Sequence, residues 1–255
     1  MVNRSKQSPT SSSGRLHRNK ALSVIETIKQ AKTQLYYVSP FLSHVSHADF
    51  DPRNPELGAQ AVQAGGRQSA WYINTAAGPA VLRHYRRGGL IAKLIRDRYL
   101  WLGWRRSRAW RELVIMQYLR QAAAPVPQPL AAATWHDGLS YQAAIMIQRI
   151  PDVQTLAQAV EQAPLKQVAK AILAVHDAGV WHADLNAHNI LIDKQQQVFI
   201  IDFDRAQRRT MKLKQRKNNL NRLRRSLIKV AQNRGQAYWE ELNKAYFVLL
   251  KQRSV

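Results

Sequence analysis

The spacing of apolar residues changes several times along the chain, and each change marks a different element. Residues 22–35 carry apolar positions at a helical interval, which predicts a short amphipathic helix. Residues 41–58 are dominated by turn formers, with Pro52, Asn54, Pro55 and Gly58 after Pro40, and read as a connector into the first lobe. Residues 61–85 predict a β-region, in which Gly65-Gly66-Arg67 turns into Ala70-Trp71-Tyr72-Ile73 and Gly78-Pro79 turns into Ala80-Val81-Leu82-Arg83. A helix is predicted over residues 111–119 and must end before Pro125, Pro127 and Pro129. Residues 139–150 are strand-like. Leu165, Val168, Ala169, Ile172, Leu173 and Val175 then mark an amphipathic helix that stops near Gly179, which suits a left-handed cap. Residues 190–192 and 198–201 form two short apolar strands around a polar turn. Residues 205–234 are helix-compatible, with Leu213, Leu220, Leu223, Leu227, Ile228 and Val230 as the apolar set.

Composition narrows the class. A chain of 255 residues with 45% apolar content can bury a substantial core, either as one large domain or as two lobes sharing a cleft. The absence of cysteine excludes disulfides, thiolate zinc sites and a cysteine nucleophile. No apolar run reaches the length of a spanning helix, so any membrane association is expected to be peripheral. Residues 1–20 are Ser-rich and basic and read as a tail without a secretory core.

Charge changes the picture more. Lys and Arg number 39 against 16 Asp and Glu, a net +23, and such a field attracts polyanions: nucleic acid, anionic head groups or a phosphorylated substrate. Residues 83–111 hold ten Lys or Arg and one acid, Asp97, interleaved with Tyr85, Tyr99, Trp101, Trp104 and Trp110. Base stacking, a head-group surface and a plain solvated basic face all fit that stretch. Residues 205–234 hold twelve Lys or Arg and no acid, which predicts a helix with a basic outer face.

The chemistry is concentrated in His182-Ala183-Asp184-Leu185-Asn186-Ala187-His188-Asn189 and in Ile201-Asp202-Phe203-Asp204, which follows a short hairpin later. Attack of a hydroxyl on a γ-phosphoryl group needs one carboxylate to orient the nucleophile and take its proton, and hard oxygen ligands to hold Mg²⁺ against the phosphates. Asp184 suits the first role, and Asn189 and Asp202 suit the second. A hairpin between them would bring the two ends together.

This layout resembles the catalytic and metal loops of the protein kinase-like superfamily. The resemblance implies an α+β, two-lobed fold with a β-rich N-lobe and a helical C-lobe. It divides the chain into a basic tail and short helix over 1–34, an N-lobe over 35–147 and a C-lobe over 148–255. Arg83 then takes the place of the phosphate-clamping strand lysine and Glu112 that of its helix partner. Gly65 and Gly66 resemble a reduced glycine-rich lid, and Ile150 lies in the crossing where backbone meets adenine. His182 is expected to support the loop from beneath. Ala183 and Asp204 depart from regulated protein kinases, as does the short chain after Asp204 without Ala-Pro-Glu. These departures imply a kinase that is always assembled, acting on a small or lipid-linked acceptor.

Within that superfamily the chain resembles the bacterial 3-deoxy-D-manno-octulosonic acid (Kdo) kinases. The residues that carry this resemblance are Val81-Leu82-Arg83-His84-Tyr85-Arg86-Arg87-Gly88-Gly89-Leu90, Asp97-Arg98-Tyr99-Leu100-Trp101, Arg108-Ala109-Trp110-Arg111-Glu112, Pro125-Val126-Pro127, and residues 182–192. The resemblance implies ATP and Mg²⁺ as cofactors and transfer to the 4-hydroxyl of Kdo on a lipid A precursor. It places the protein at the anionic cytoplasmic face of the inner membrane of a Gram-negative bacterium, with Arg86, Arg87, Gly88 and Gly89 lining the acceptor site. No nucleic-acid partner is expected on this reading. The alternatives are a kinase of another acceptor, such as heptose, a small sugar or an amine, and a nucleic-acid-binding protein with an inert kinase-like core.

Overall fold

Sheet pairing at the start of the chain overturns one expectation. In the computed structural model, which describes residues 23–62, 70–86 and 97–253, the described part of the predicted helix over 22–35 does not form one. β1 (Val24–Gln30) and β2 (Thr33–Ser39) pair antiparallel across a tight turn, with Val24 opposite Ser39 and Gln30 opposite Thr33. β1 is an edge strand with much of its surface exposed, so its few apolar residues follow no strict alternation and mimic a helical interval.

β3 (Gln60–Ala61), β4 (Ala70–Thr75), β5 (Gly78–His84), β6 (Tyr99–Leu100), β7 (Pro129–Asp137) and β8 (Ser140–Gln148) complete the sheet in the order β1-β2-β7-β8-β5-β4-β3, with β6 on β8. Every pairing is antiparallel. Alternate residues go to two different cores. Tyr36, Val38, Ala132, Ala143 and Ile145 face helix α1 (Arg108–Gln121), whereas Leu35, Ala131, Ala133, Ala144 and Met146 face the other way. That second face is covered by Leu42, Val45, Phe50 and Leu57. The turn-rich stretch after β2 is therefore a packed cover as well as a connector, and this explains why β7 is apolar nearly throughout.

The helical part begins beyond β8. β9 (Gln154–Thr155), α2 (Leu165–Asp177), β10 (Val180–Trp181), β11 (Ile190–Ile192), β12 (Val198–Ile200) and β13 (Gln207–Arg208) lead into α3 (Leu213–Gln252). Gly179 ends α2 at φ 70°, as its position predicted, and a Cβ there would meet the Arg209 carbonyl at 3.3 Å.

α3 does not run straight. Gln232 has φ 49° and ψ −124°, and the chain turns back on itself there. Trp239 Nε1 consequently reaches the Leu220 carbonyl, Arg224 reaches Gln236, and Arg216 reaches the Tyr246 hydroxyl. Gly235 permits the reversal, because a Cβ at that position would lie 2.1 Å from the Leu227 carbonyl oxygen.

Between α2 and this helical hairpin the His176 ring is buried. It takes a hydrogen bond from the Tyr246 hydroxyl at 2.8 Å and gives one to Asn219 Oδ1 at 3.2 Å. Burial pushes its pKa down to about 4. The unfolded chain, with a histidine pKa of about 6.5, therefore binds the proton first on acidification. This residue's contribution to stability is complete above about pH 6.5 and is lost as pH falls towards 4. Acidification from pH 7 to 5 is expected to cost the native chain about 2 kcal/mol more than His176→Gln, read from urea midpoints. Equal losses in the two proteins would remove His176 from this role.

Candidate active site

The β11–β12 hairpin assembles the polar residues at its open end. Ile190 pairs with Ile200, and the Ile201 amide donates to the Asn189 carbonyl at 3.0 Å, so Asp202 emerges next to Asn189. Two amide side chains organise the preceding loop. The Nδ2 groups of Asn186 and Asn189 each donate to the Asp184 carbonyl at 3.0 Å. That carbonyl needs donors, which fixes the Asn189 amide orientation and turns its Oδ1 away, free to accept a cation. His182 lies beneath the loop and is buried. The Asp184 amide donates to its Nδ1 at 3.1 Å, so Nε2 carries the proton and donates to the Ile201 carbonyl at 2.9 Å. Burial pushes its pKa below the ordinary histidine value, in keeping with a neutral ring that ties one loop to the other.

Above the hairpin, Arg83 on β5 joins three elements. Its Nη2 donates to both carboxylate oxygens of Glu112 on α1, at 2.7 and 2.5 Å, and its Nη1 donates to Asp202 Oδ1 at 2.7 Å. The Tyr85 hydroxyl adds a third hydrogen bond to Glu112. Burial raises the Glu112 carboxyl, with Arg83 opposing it. At Asp202 burial also pushes upward, but the charge and hydrogen bond of Arg83 outweigh it and hold the carboxyl below its usual range. Asp202 itself sits at φ 65°, a left-handed conformation that non-glycine residues seldom adopt.

A second ion pair runs in parallel. Arg108, at the start of α1, donates from Nε to Asp204 Oδ1 at 2.6 Å and from Nη2 to Oδ2, and its guanidinium lies over the Tyr85 and Tyr99 rings. Asp204, which stands where regulated protein kinases carry a hinge glycine, thus binds the loop after β12 to α1.

The helix after the site contributes residues that sequence reasoning did not assign. Along the first arm of α3, Asn219 Oδ1 accepts from the His182 amide at 3.2 Å and its Nδ2 donates to the His182 carbonyl at 2.9 Å. One turn on, Arg222 Nε donates to Asp184 Oδ1 at 2.9 Å, joined by Nη2. A further turn brings Ser226 Oγ to the Ala187 amide at 3.1 Å. The signal was present: Asn219 and Ser226 are polar residues on the stripe that carries Leu220, Leu223 and Leu227.

The other expected positions are less informative. Ile150 is half-buried on the crossing beyond β8, where the Arg149 amide donates to the Pro79 carbonyl. Arg86 is exposed at the end of β5, and His188 is exposed in the loop. Gly65, Gly66, Arg87, Gly88 and Gly89 lie outside the described residues.

The donor set suits a hard cation. Asn189 Oδ1 and Asp202 Oδ2 are oxygen atoms without hydrogen bonds among the described residues, and hard oxygens of this kind could hold a magnesium ion. Among those same residues no group of three or more His, Cys, Asp or Glu is gathered for a metal.

Comparison with known proteins agrees with this geometry. Residues 55–246 match the model of the lipopolysaccharide kinase (Kdo/WaaP) family. A 3-deoxy-D-manno-octulosonic acid kinase of Stenotrophomonas maltophilia (strain R551-3) is 45% identical over 201 residues, covering 77% of this chain and 80% of the relative. Proteins of the same name in Xanthomonas axonopodis pv. citri and Xylella fastidiosa (strain 9a5c) are 42% and 45% identical over 201 and 196 residues. These span 77% and 74% of this chain, and 80% and 79% of the respective relatives.

Proposed function

The chain belongs to the lipopolysaccharide kinase (Kdo/WaaP) family and is a phosphotransferase, and from that premise we propose that it transfers the γ-phosphate of ATP to the 4-hydroxyl of Kdo on a lipid A precursor. The observation that carries the proposal is the Arg83 bridge between Glu112 and Asp202, set above a loop in which Asp184 and Asn189 share one hydrogen-bond network. A nucleic-acid-binding protein with an idle core has no need of that arrangement, and the family is one of kinases.

In this mechanism Asp184 orients the acceptor hydroxyl and takes its proton as the oxygen attacks phosphorus. Arg83 meets the ATP phosphates with the part of its guanidinium that the two carboxylates leave free, while Glu112 fixes its direction. Asn189 and Asp202 would hold Mg²⁺, which when bound neutralises phosphate charge. His182 and Asn219 keep the loop backbone in place. The Arg83–Asp202 pair, with Glu112 on the other side of Arg83, and the Arg108–Asp204 pair hold α1 against the loop after β12 through the chain's own side chains, which supports a kinase that needs no activation step.

The test is phosphate transfer from Mg·ATP to a Kdo-bearing lipid A precursor, run beside an acceptor lacking Kdo and one that offers heptose. Transfer that requires Kdo is expected, with the product position read by NMR. Transfer to heptose and not to Kdo would overturn the proposal.

Such an acceptor is anionic and membrane-embedded. Among the described residues no helix is long and apolar enough to cross a membrane. We assign the protein a peripheral place on the cytoplasmic face of the inner membrane, supported by the net charge of +23 and by exposed Leu100 and Leu102, which lie near Arg98, Arg105 and Arg106. Binding to phosphatidylglycerol vesicles is expected to weaken several-fold between 0.05 and 0.5 M salt, as the Debye length shortens through about 10 Å. Salt-insensitive binding would point to apolar insertion instead.

A further inference from the structure

Residues 182–189 contain neither Lys nor Arg, yet the loop does not lack a cation. Arg222 delivers one from α3, through Nε and Nη2 to a single oxygen of Asp184. Its placement is tightly determined. Asn219 and Ser226, three residues before it and four after it, hydrogen-bond the loop backbone at His182 and Ala187, so the helix and the loop are held in register.

Anchoring does not explain an arginine there. The two neighbours already tie helix to loop, and a half-exposed ion pair, at 45% exposure for each side chain, contributes little to stability. The guanidinium also uses only one edge. Nε and Nη2 face Asp184, and Nη1 has no partner among the described residues, which leaves the Nη1–Nη2 edge open beside the carboxylate. An open guanidinium edge is a fork for a planar anion and accepts a carboxylate bidentately.

Electrostatics says why that anion should be the acceptor's. A sugar acid that brings its hydroxyl to Asp184 also brings its own negative charge towards a carboxylate, and the two repel at close range. A cation shared between them removes the repulsion. In a sugar acid of this kind the carboxyl carbon and the carbon bearing the reacting hydroxyl are separated by a short stretch of the ring. Both groups therefore fall within the span of one Asp–Arg pair.

We propose that Arg222 is a specificity-determining residue, which binds the carboxylate of the acceptor sugar with its free edge while its other edge holds Asp184. This inference rests on the acceptor assigned above and adds the group by which that acceptor is distinguished from neutral sugars.

The experiment is a two-by-two cycle. The native chain and Arg222→Gln are each assayed with the Kdo acceptor and with its carboxamide analogue, and kcat, acceptor KM and ATP KM are recorded separately. Arg222→Gln lowers kcat with both acceptors, because Asp184 loses a partner. The proposal concerns acceptor KM. That value is expected to rise about 10- to 100-fold when either the guanidinium or the carboxylate is removed, with little further rise when both are gone. ATP KM stays within about twofold, and Arg222→Lys, which keeps charge without the fork, is intermediate.

Equal factors for Arg222→Gln on both acceptors would overturn the proposal, as would a rise in ATP KM in place of acceptor KM, which would assign the free edge to phosphate. The native chain with the carboxamide acceptor involves no variant, and undiminished use of that acceptor overturns the proposal even if Arg222→Gln fails to fold. Failure of the native chain to phosphorylate the Kdo acceptor at all would remove the proposed function and this inference together, an outcome distinct from additive losses.

Discussion

Asp184→Asn is expected to reduce turnover by about 10²-fold or more while ATP affinity changes by no more than about twofold, the scale on which a positioned general base acts. The substitution is close to isosteric, and the amide oxygen can still accept from Arg222, so loop geometry should survive. What disappears is the anionic oxygen that takes the acceptor proton in the proposed mechanism. His182, Asn186 and Asn189 contact the backbone of residue 184 and not its side chain, so the hydrogen bonds that shape the loop are untouched. Single-turnover transfer with saturating ATP and acceptor, measured beside ATP binding by calorimetry, separates the two quantities. Undiminished transfer would take Asp184 out of its role.

The second large effect belongs to Arg83. Removing its charge leaves Glu112, 1% exposed, buried with the Tyr85 hydroxyl as its only side-chain donor among the described residues. Breaking one half of a buried ion pair typically costs about 3–5 kcal/mol, far more than the intact pair contributes. Arg83→Met should therefore lose about 3 kcal/mol or more in urea unfolding, and should lose turnover as well. The double variant Arg83→Met/Glu112→Leu separates the causes. With no carboxylate buried at position 112, and the remaining unpaired Asp202 35% exposed, most of that stability should return, while activity stays lost because the link between β5 and Asp202 is gone. Recovery of activity in the double variant would show that Arg83 serves the fold alone.

Much of this protein was legible in the order of its residues, for a local reason. The predicted strands near 70–85 and 190–200 and the predicted helices near 111–119 and 165–175 are elements whose apolar period is set by their own packing face. The same holds for the hairpin that joins Asn189 to Asp202. Its two strands are short, apolar and separated by a polar turn, so its closure needs no distant partner.

Other features depend on contacts between parts of the chain far apart. β1 looked helical because an edge strand with an exposed face has no strict alternation to betray it. Its identity comes from β2, and β2 in turn pairs with β7, nearly a hundred residues later. The turn-rich stretch over residues 41–58 has no periodicity at all, and only the second face of the sheet turns it into a core layer. Helical period marked Leu220, Leu223 and Leu227 as a buried stripe, whereas Leu213, Ile228 and Val230 of the same predicted set are exposed. It could not say that the first arm of α3 lies against residues 182–187, nor that Gln232 reverses the chain. Charge counting spread Arg222 and Arg108 over two basic surfaces, because the carboxylates they pair with, Asp184 and Asp204, are 38 and 96 residues away. Sequence by itself determined which residues could perform the chemistry, since those roles follow from residue type and local spacing. The tertiary structure alone decided which cations attend them, because an ion pair depends on distance in space and carries no period along the chain.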